Sequence, residues 1–158
     1  MVRSKMEIKE CKVMREDMRN SLQFKLASVT RLVFKKMNSE LIAEGIPVIA
    51  EQIPILMVVY FKEDVITQQD IANILQKDKA GIQRSVQTLH KDGFLKIESD
   101  TEDKRKNLIS LTSSGKFVCE KIQTLAIAFN NQIMEHFTEE ERNTFLSFLN
   151  RVASIIEK

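Results

Sequence analysis

The hydrophobic period of this chain changes at Gly93, and that change constrains the fold more than any other feature. Before it, apolar residues recur at helical spacing in two short runs: Ile71, Ile74 and Leu75, then Ile82, Val86 and Leu89. Steps of three and four place such residues on one face of a helix. Thr67 followed three residues later by Asp70 has the form of a capping box. Asp78 is a good N-cap for a second helix over 79–91, which Gly93 closes. Two short helices joined by about three or four residues make a helix-turn-helix. After Gly93 the apolar-rich segments are short, Phe94 to Glu98 and Asn107 to Leu111, and the run from Ser99 to Lys106 between them is wholly polar. That pattern predicts a two-stranded hairpin with a long charged tip. A hairpin placed directly after a helix-turn-helix is a wing.

Long helical stripes flank this unit. Leu22, Leu26, Val29, Val33 and Met37 predict a long first helix that Gly45-Ile46-Pro47 ends. Val118, Ile122, Leu125, Phe129 and Ile133 predict another of about six turns at 3.6 residues each, with Thr112-Ser113-Ser114 as its caps. Thr138 to Glu141 has a full capping-box pattern and opens a last helix with the stripe Phe145, Leu149, Val152 and Ile156, widened by Phe148 and Ile155. Ile55 to Phe61 is apolar nearly all round. Periodicity leaves a buried strand open there, while Pro54, which fits only near a helix start, favours a buried helix beginning around 51–53. The first dozen residues are charged without strong periodicity and predict a frayed start. Four Gly and two Pro in 158 residues are too few for the turns of a many-stranded sandwich or barrel. The fold class is therefore mainly α: about six helices plus a two-stranded hairpin wing, as one domain over 1–158.

Several function classes fall away. The two cysteines, Cys11 and Cys119, cannot make a disulfide framework or a thiolate zinc site, so neither metal nor cofactor is expected. His90 and His136 have no Ser, Cys or carboxylate at catalytic spacing. Gly45, Gly81, Gly93 and Gly115 are isolated, so there is no phosphate-binding glycine loop, and an enzyme is not expected. No apolar run approaches a membrane span and the N-terminus lacks a signal-peptide core, which predicts a cytoplasmic protein without a membrane partner. The net charge of +2 hides an uneven distribution. Residues 1–36 hold ten basic and four acidic side chains, and Lys79, Arg84, Lys104, Arg105 and Lys106 cluster in the helix-turn-helix and wing.

The order of elements and several motifs resemble the MarR family of winged-helix transcription regulators. The most specific piece is Asp103 to Gly115, DKRKNLISLTSSG, which matches the family's wing pattern D-x-R-x-x-x-[IV]-x-L-T-x-x-G at every fixed position. Thr67 to Leu75 looks like the first helix of the family's helix-turn-helix, and Ile82 to Leu95 like its recognition helix and exit. The sequence departs from the pattern at Gln76, where the turn often has Gly, at Lys77, where an apolar residue is common, and at Gly81 in the first turn of the recognition helix. A mid-helix Gly costs roughly 0.5–1 kcal/mol relative to Ala.

The resemblance implies a homodimer that binds a pseudo-palindromic operator. With Ile82, Val86 and Leu89 facing inward, Lys79, Ala80, Gln83, Arg84 and Gln87 lie on the outer face, suited to the major groove. Arginine can bond guanine through both nitrogens of its fork, and glutamine can do the same to adenine. At the wing tip the resemblance assigns Arg105 to the minor groove, Asp103 to holding its guanidinium, and Lys104 and Lys106 to phosphates. Thr67 and Gln68 open a helix whose amides could meet a phosphate or simply be capped. The last helix has a broader apolar face than one small core needs, which predicts a dimer interface including Leu22, Phe145, Phe148, Leu149, Val152 and Ile156; intramolecular packing on the preceding helix is the alternative. The segments 14–45 and 113–158 are then dimerisation helices around a winged helix-turn-helix over about 51–112. Phe24, Met57, Tyr60 and Phe61 could line a pocket for a small-molecule effector, and equally could be core. The function expected is transcriptional regulation as a repressor; the alternative is a winged-helix protein-interaction module that does not bind DNA.

Overall fold

A computed structural model describes residues 17–62, 64–101, 103 and 106–157. The chain divides into two compact units, one ending at Glu51 and one beginning at Gln52. The expected frayed start, Cys11, Lys104 and Arg105 lie outside the described residues.

The first unit is built on α1, Leu22–Ala43, which Ser21 caps by accepting from the Phe24 amide. Its apolar stripe is buried only at its end, at Met37 and Leu41. Gly45 takes a left-handed backbone at φ +66°. That turn lets the Ile46 amide donate to Leu41 O at 2.8 Å and the Gly45 amide to Ile42 O at 3.0 Å, the paired bonds of a Schellman cap. Asn38 then receives the Ala50 amide on Oδ1 at 2.6 Å, tying the following segment back to the helix.

The second unit is a winged helix. After a short 3-10 turn (Ala50–Gln52) come α2 (Ile53–Lys62), β1 (Ile66–Thr67), α3 (Gln68–Leu75), α4 (Lys79–Lys91), β2 (Leu95–Ser99), β3 (Asn107–Leu111), α5 (Ser113–Met134) and α6 (Glu139–Ile156). The apolar segment 55–61 is a helix, and the reason is its place. α2 packs against α3, α4, α5 and β3, and buries Ile55, Leu56 and Val59 among them. Ile71, Ile82, Val86, Leu89, Leu95, Ile109 and Ile122 complete this core. The expected two-stranded hairpin is present, Leu95–Ser99 pairing antiparallel with Asn107–Leu111. A third strand that the sequence did not suggest joins it, in the order β1-β3-β2, because Ile66 and Thr67 pair antiparallel with Ile109 and Leu108. A two-residue strand is too short to show a period, and only its partner reveals it.

The motif ending in Gly115 serves the fold. The Thr112 hydroxyl donates to Gly93 O at 2.6 Å and accepts the Gly115 amide at 2.9 Å, while the Thr112 amide donates to Phe94 O at 3.1 Å. A Cβ at Gly115 would overlap the Phe94 carbonyl oxygen and press Leu111 Cδ2 at 2.9 Å. Thr112 and Gly115 thus clamp the start of α5 onto the junction of α4 and β2. Among the described residues no helix is long and apolar enough to cross a membrane.

Candidate nucleic-acid interface

α3 and α4 are joined through Gln76, which stands in the left-handed region at φ +50° and ψ +41°. The Lys77 amide donates to Ala72 O at 3.0 Å and the Gln76 amide to Asn73 O at 3.3 Å. α4 ends in the same way at Gly93, φ +82°, with Phe94 N bonded to Leu89 O at 2.9 Å. The glycine missing from the turn is therefore missing from a position whose backbone favours glycine.

Asp78 caps α4 by accepting the Gly81 amide on Oδ1 at 2.7 Å. Gly81 has a use here: a Cβ on it would stand 2.8 Å from Asp78 Oδ2, in the space the capping carboxylate fills. Ile82, Val86 and Leu89 are each 0% exposed. Ala80, Gln83, Arg84 and Gln87 are exposed on the other side, as the helical period requires, and Lys79 is exposed as the first residue of the helix. Lys91 falls on the same line as Ala80, Arg84 and Gln87 and is exposed too. Sequence reasoning missed it, although carrying the 3.6-residue period one turn further reaches it. His90, read from the sequence only as a histidine without catalytic neighbours, has its Nδ1 2.8 Å from Leu95 O and ties the end of α4 to β2.

At the start of α3 the capping box is complete. The Thr67 hydroxyl donates to Asp70 Oδ2 at 2.6 Å and accepts the Asp70 amide at 3.2 Å, and the Thr67 amide donates to the same carboxylate at 3.2 Å. The Thr67 hydroxyl bond, the Thr67 amide bond and the fields of Lys62 and Lys106 hold the Asp70 carboxyl below its ordinary range. The Thr67 side chain is thus engaged in capping, and the Gln68 side-chain nitrogen is buried with no hydrogen-bond partner among the described residues. What this end of α3 offers a phosphate is its first backbone amides rather than either side chain.

The wing narrows to a turn in which the Lys106 amide donates to Asp103 O at 2.8 Å and the Asp103 amide to Asp100 Oδ1 at 3.2 Å. Lys106 Nζ stands 3.8 Å from Asp103 Oδ2, an exposed pair. Lys104 and Arg105 occupy the two positions between them in sequence, outside the described residues.

A model of the MarR family matches residues 44–106, which takes in all of α2 to the wing tip. Over that stretch the chain is similar to the MarR family. It is 31% identical over 96 residues to the HTH-type transcriptional repressor YetL of Bacillus subtilis strain 168, a stretch that is 60% of this chain and 58% of that protein. It is 28% identical over 91 residues to the HTH-type transcriptional regulator BilQ of Clostridium symbiosum strain WAL-14163, covering 58% of this chain and 63% of that one. The chain thus spans less than two thirds of the length of these curated relatives. The fold resembles that of MepR from S. aureus in a crystal structure of its complex with DNA, with a TM-score of 0.78, 22% identity, and coverage of 85% of this chain and 97% of that one.

The MarR-family wing pattern divides in two on this structure. Ile109, Leu111, Thr112 and Gly115 belong to the sheet and the clamp, while Asp103 belongs to the turn of the wing. The remaining expected residues are spread. Met57 and Phe61, with Ile122 and Ile127, line an open groove of about 360 Å³ between α2 and α5. Tyr60 is half-buried with its ring edge-on to that of Phe61 at 5.4 Å, and Phe24 is exposed on α1. On α6, Phe145, Phe148 and Ile156 are exposed and Leu149 and Val152 half-buried; Leu22 is exposed on α1. Cys119 is buried, its thiol pointed at Leu56 O at 3.8 Å, and burial raises its pKa to about 11. A thiol so placed is a small core side chain rather than a nucleophile.

Proposed function

We propose that the protein is a homodimeric, sequence-specific DNA-binding transcriptional regulator, a repressor that excludes polymerase by occupying an operator and is relieved by a small-molecule effector. One observation carries the reading. α4 turns Ala80, Gln83, Arg84 and Gln87 to solvent across from a back face with no exposure, with Lys79 exposed at its start, and the hairpin sequence that follows it carries Lys104, Arg105 and Lys106. A helix of that kind suits the major groove, where the Arg84 fork matches guanine and Gln83 or Gln87 matches adenine. Asp103 orients Arg105 for the minor groove, and Lys104 and Lys106 meet phosphates. The curated relatives named as a transcriptional repressor and a transcriptional regulator support the reading, as does the DNA complex of MepR.

Dimerisation follows from unfinished burial. α6 has no buried residue, although Phe145, Leu146, Phe148, Ile155 and Ile156 are all apolar. Met18, Leu22, Val29 and Leu32 are likewise exposed at the start of the first unit. A second copy supplies the missing partner, and a two-fold dimer reads half-sites about 10 base pairs apart. The groove beside Met57 and Phe61 is the place for the effector, its lining being mainly apolar.

DNA binding measured against salt tests this directly. The log–log slope should be about −0.9 per phosphate contact. Arg84→Ala should cost roughly 1–3 kcal/mol and relax preference at one base position. Arg105→Ala should weaken binding most in A·T-rich flanks. A flat salt response would mark a protein-interaction module instead and overturn the reading.

A further inference from the structure

We propose that Ala80 reads the methyl group of a thymine in each half-site. This rests on the DNA-binding reading and deepens it. Among the exposed residues of α4, Ala80 is the only apolar one. It stands in the first turn, on the same line as Arg84, Gln87 and Lys91, at steps of four, three and four. A methyl group there gains nothing from a phosphate and cannot hydrogen-bond to a base edge.

Asp78 accepts the Gly81 amide at 2.7 Å and so fixes where the first turn of α4 begins. On the DNA-binding reading it is the N-terminal residues of such a helix that meet base edges, and Ala80 is among them. In the major groove the apolar feature of a base edge is the C5-methyl of thymine, and alanine is a natural contact for it. From Ala80 to Gln87 the helix rises about 10.5 Å at 1.5 Å per residue, close to three base-pair steps of about 3.4 Å. The thymine met by Ala80 thus lies about three pairs from the base that Gln87 would meet.

The experiment uses the full chain and duplexes selected from a random pool. Each thymine of the selected half-site is replaced in turn by deoxyuridine, which removes the methyl and leaves the pairing intact. One such replacement per half-site should weaken binding about fourfold, the loss expected for one buried methyl-sized group. Ala80→Ser and Ala80→Gly, each checked for an unchanged far-UV spectrum, should bind the thymine and deoxyuridine duplexes equally. Indifference of the wild type to every replacement overturns the inference while leaving DNA binding intact. Retention of the wild-type discrimination by both variants overturns it in the same way. If no duplex is retained at any salt concentration, the DNA-binding reading itself falls, and the inference with it.

Discussion

α4 and α6 are both amphipathic helices of the second unit, both with well-formed N-caps, yet they bury their apolar stripes differently. α4 turns Ile82, Val86 and Leu89 onto α2, α3 and β2 and leaves none of that stripe exposed. α6 leaves Phe145 51% and Phe148 59% exposed, and buries no residue at all. Fully burying such a side chain is worth roughly 1.5–3 kcal/mol. The stripe of α4 is answered within the chain; that of α6 is left exposed, which is the ground for the proposed second copy. An apolar stripe states that a helix has a partner and leaves open whose it is.

Truncations separate the two cases. Leu89→Ala should destabilise the second unit by about 2–5 kcal/mol, read as a loss of denaturation midpoint that does not vary with protein concentration. Phe148→Glu should act the other way round. The monomer should keep its fold, while self-association measured by sedimentation weakens by about 2 kcal/mol or more, with DNA affinity falling alongside. If Phe148→Glu instead unfolds the chain at all concentrations, α6 belongs to the monomer core and the contrast with α4 disappears.

Smaller effects probe the helix ends. Gln76→Gly should stabilise the protein by about 0.5 kcal/mol, because the relief of a left-handed residue outweighs the freer unfolded chain. A thermal melt checks this, and a destabilised variant would mean that the Gln76 side chain contributes a contact the strain argument ignores. The capping carboxyls give the smallest effect. The Thr67 bonds hold Asp70, and the Thr138 bonds hold Glu141, below their ordinary values of 3.8 and 4.5. Groups with depressed folded-state values stabilise above the unfolded value and lose that contribution as pH falls through the folded one. Stability should therefore decline below about pH 4.5, first through the α6 box and then through the α3 box. Thr138→Ala should flatten the first part of that decline in an acid titration followed by circular dichroism.

The legible parts of the molecule share one property: their causes are local in sequence. Thr67, Asp78, Thr112 and Thr138 cap the helices they were expected to cap, through bonds to residues three positions on. The outer face of α4 follows from the 3.6-residue period, so Ala80, Gln83, Arg84 and Gln87 are readable without a structure. Lys91 obeys the same period at the last turn of the helix, and its place on that line is equally local.

What the tertiary structure alone decided came from residues distant in sequence. The strand at Ile66 and Thr67 exists because β3 passes beside it, some 40 residues on. Gly115 is required by a carbonyl at Phe94, which no local rule places there. The first two thirds of α1 and the whole of α6 have the same apolar periods as buried helices, and only their exposure sets them apart. Hydrogen bonds within a turn are fixed by neighbours along the chain, and a short window of sequence contains all of their partners. Burial and close approach depend on which surfaces meet, and that is settled only when the chain has folded.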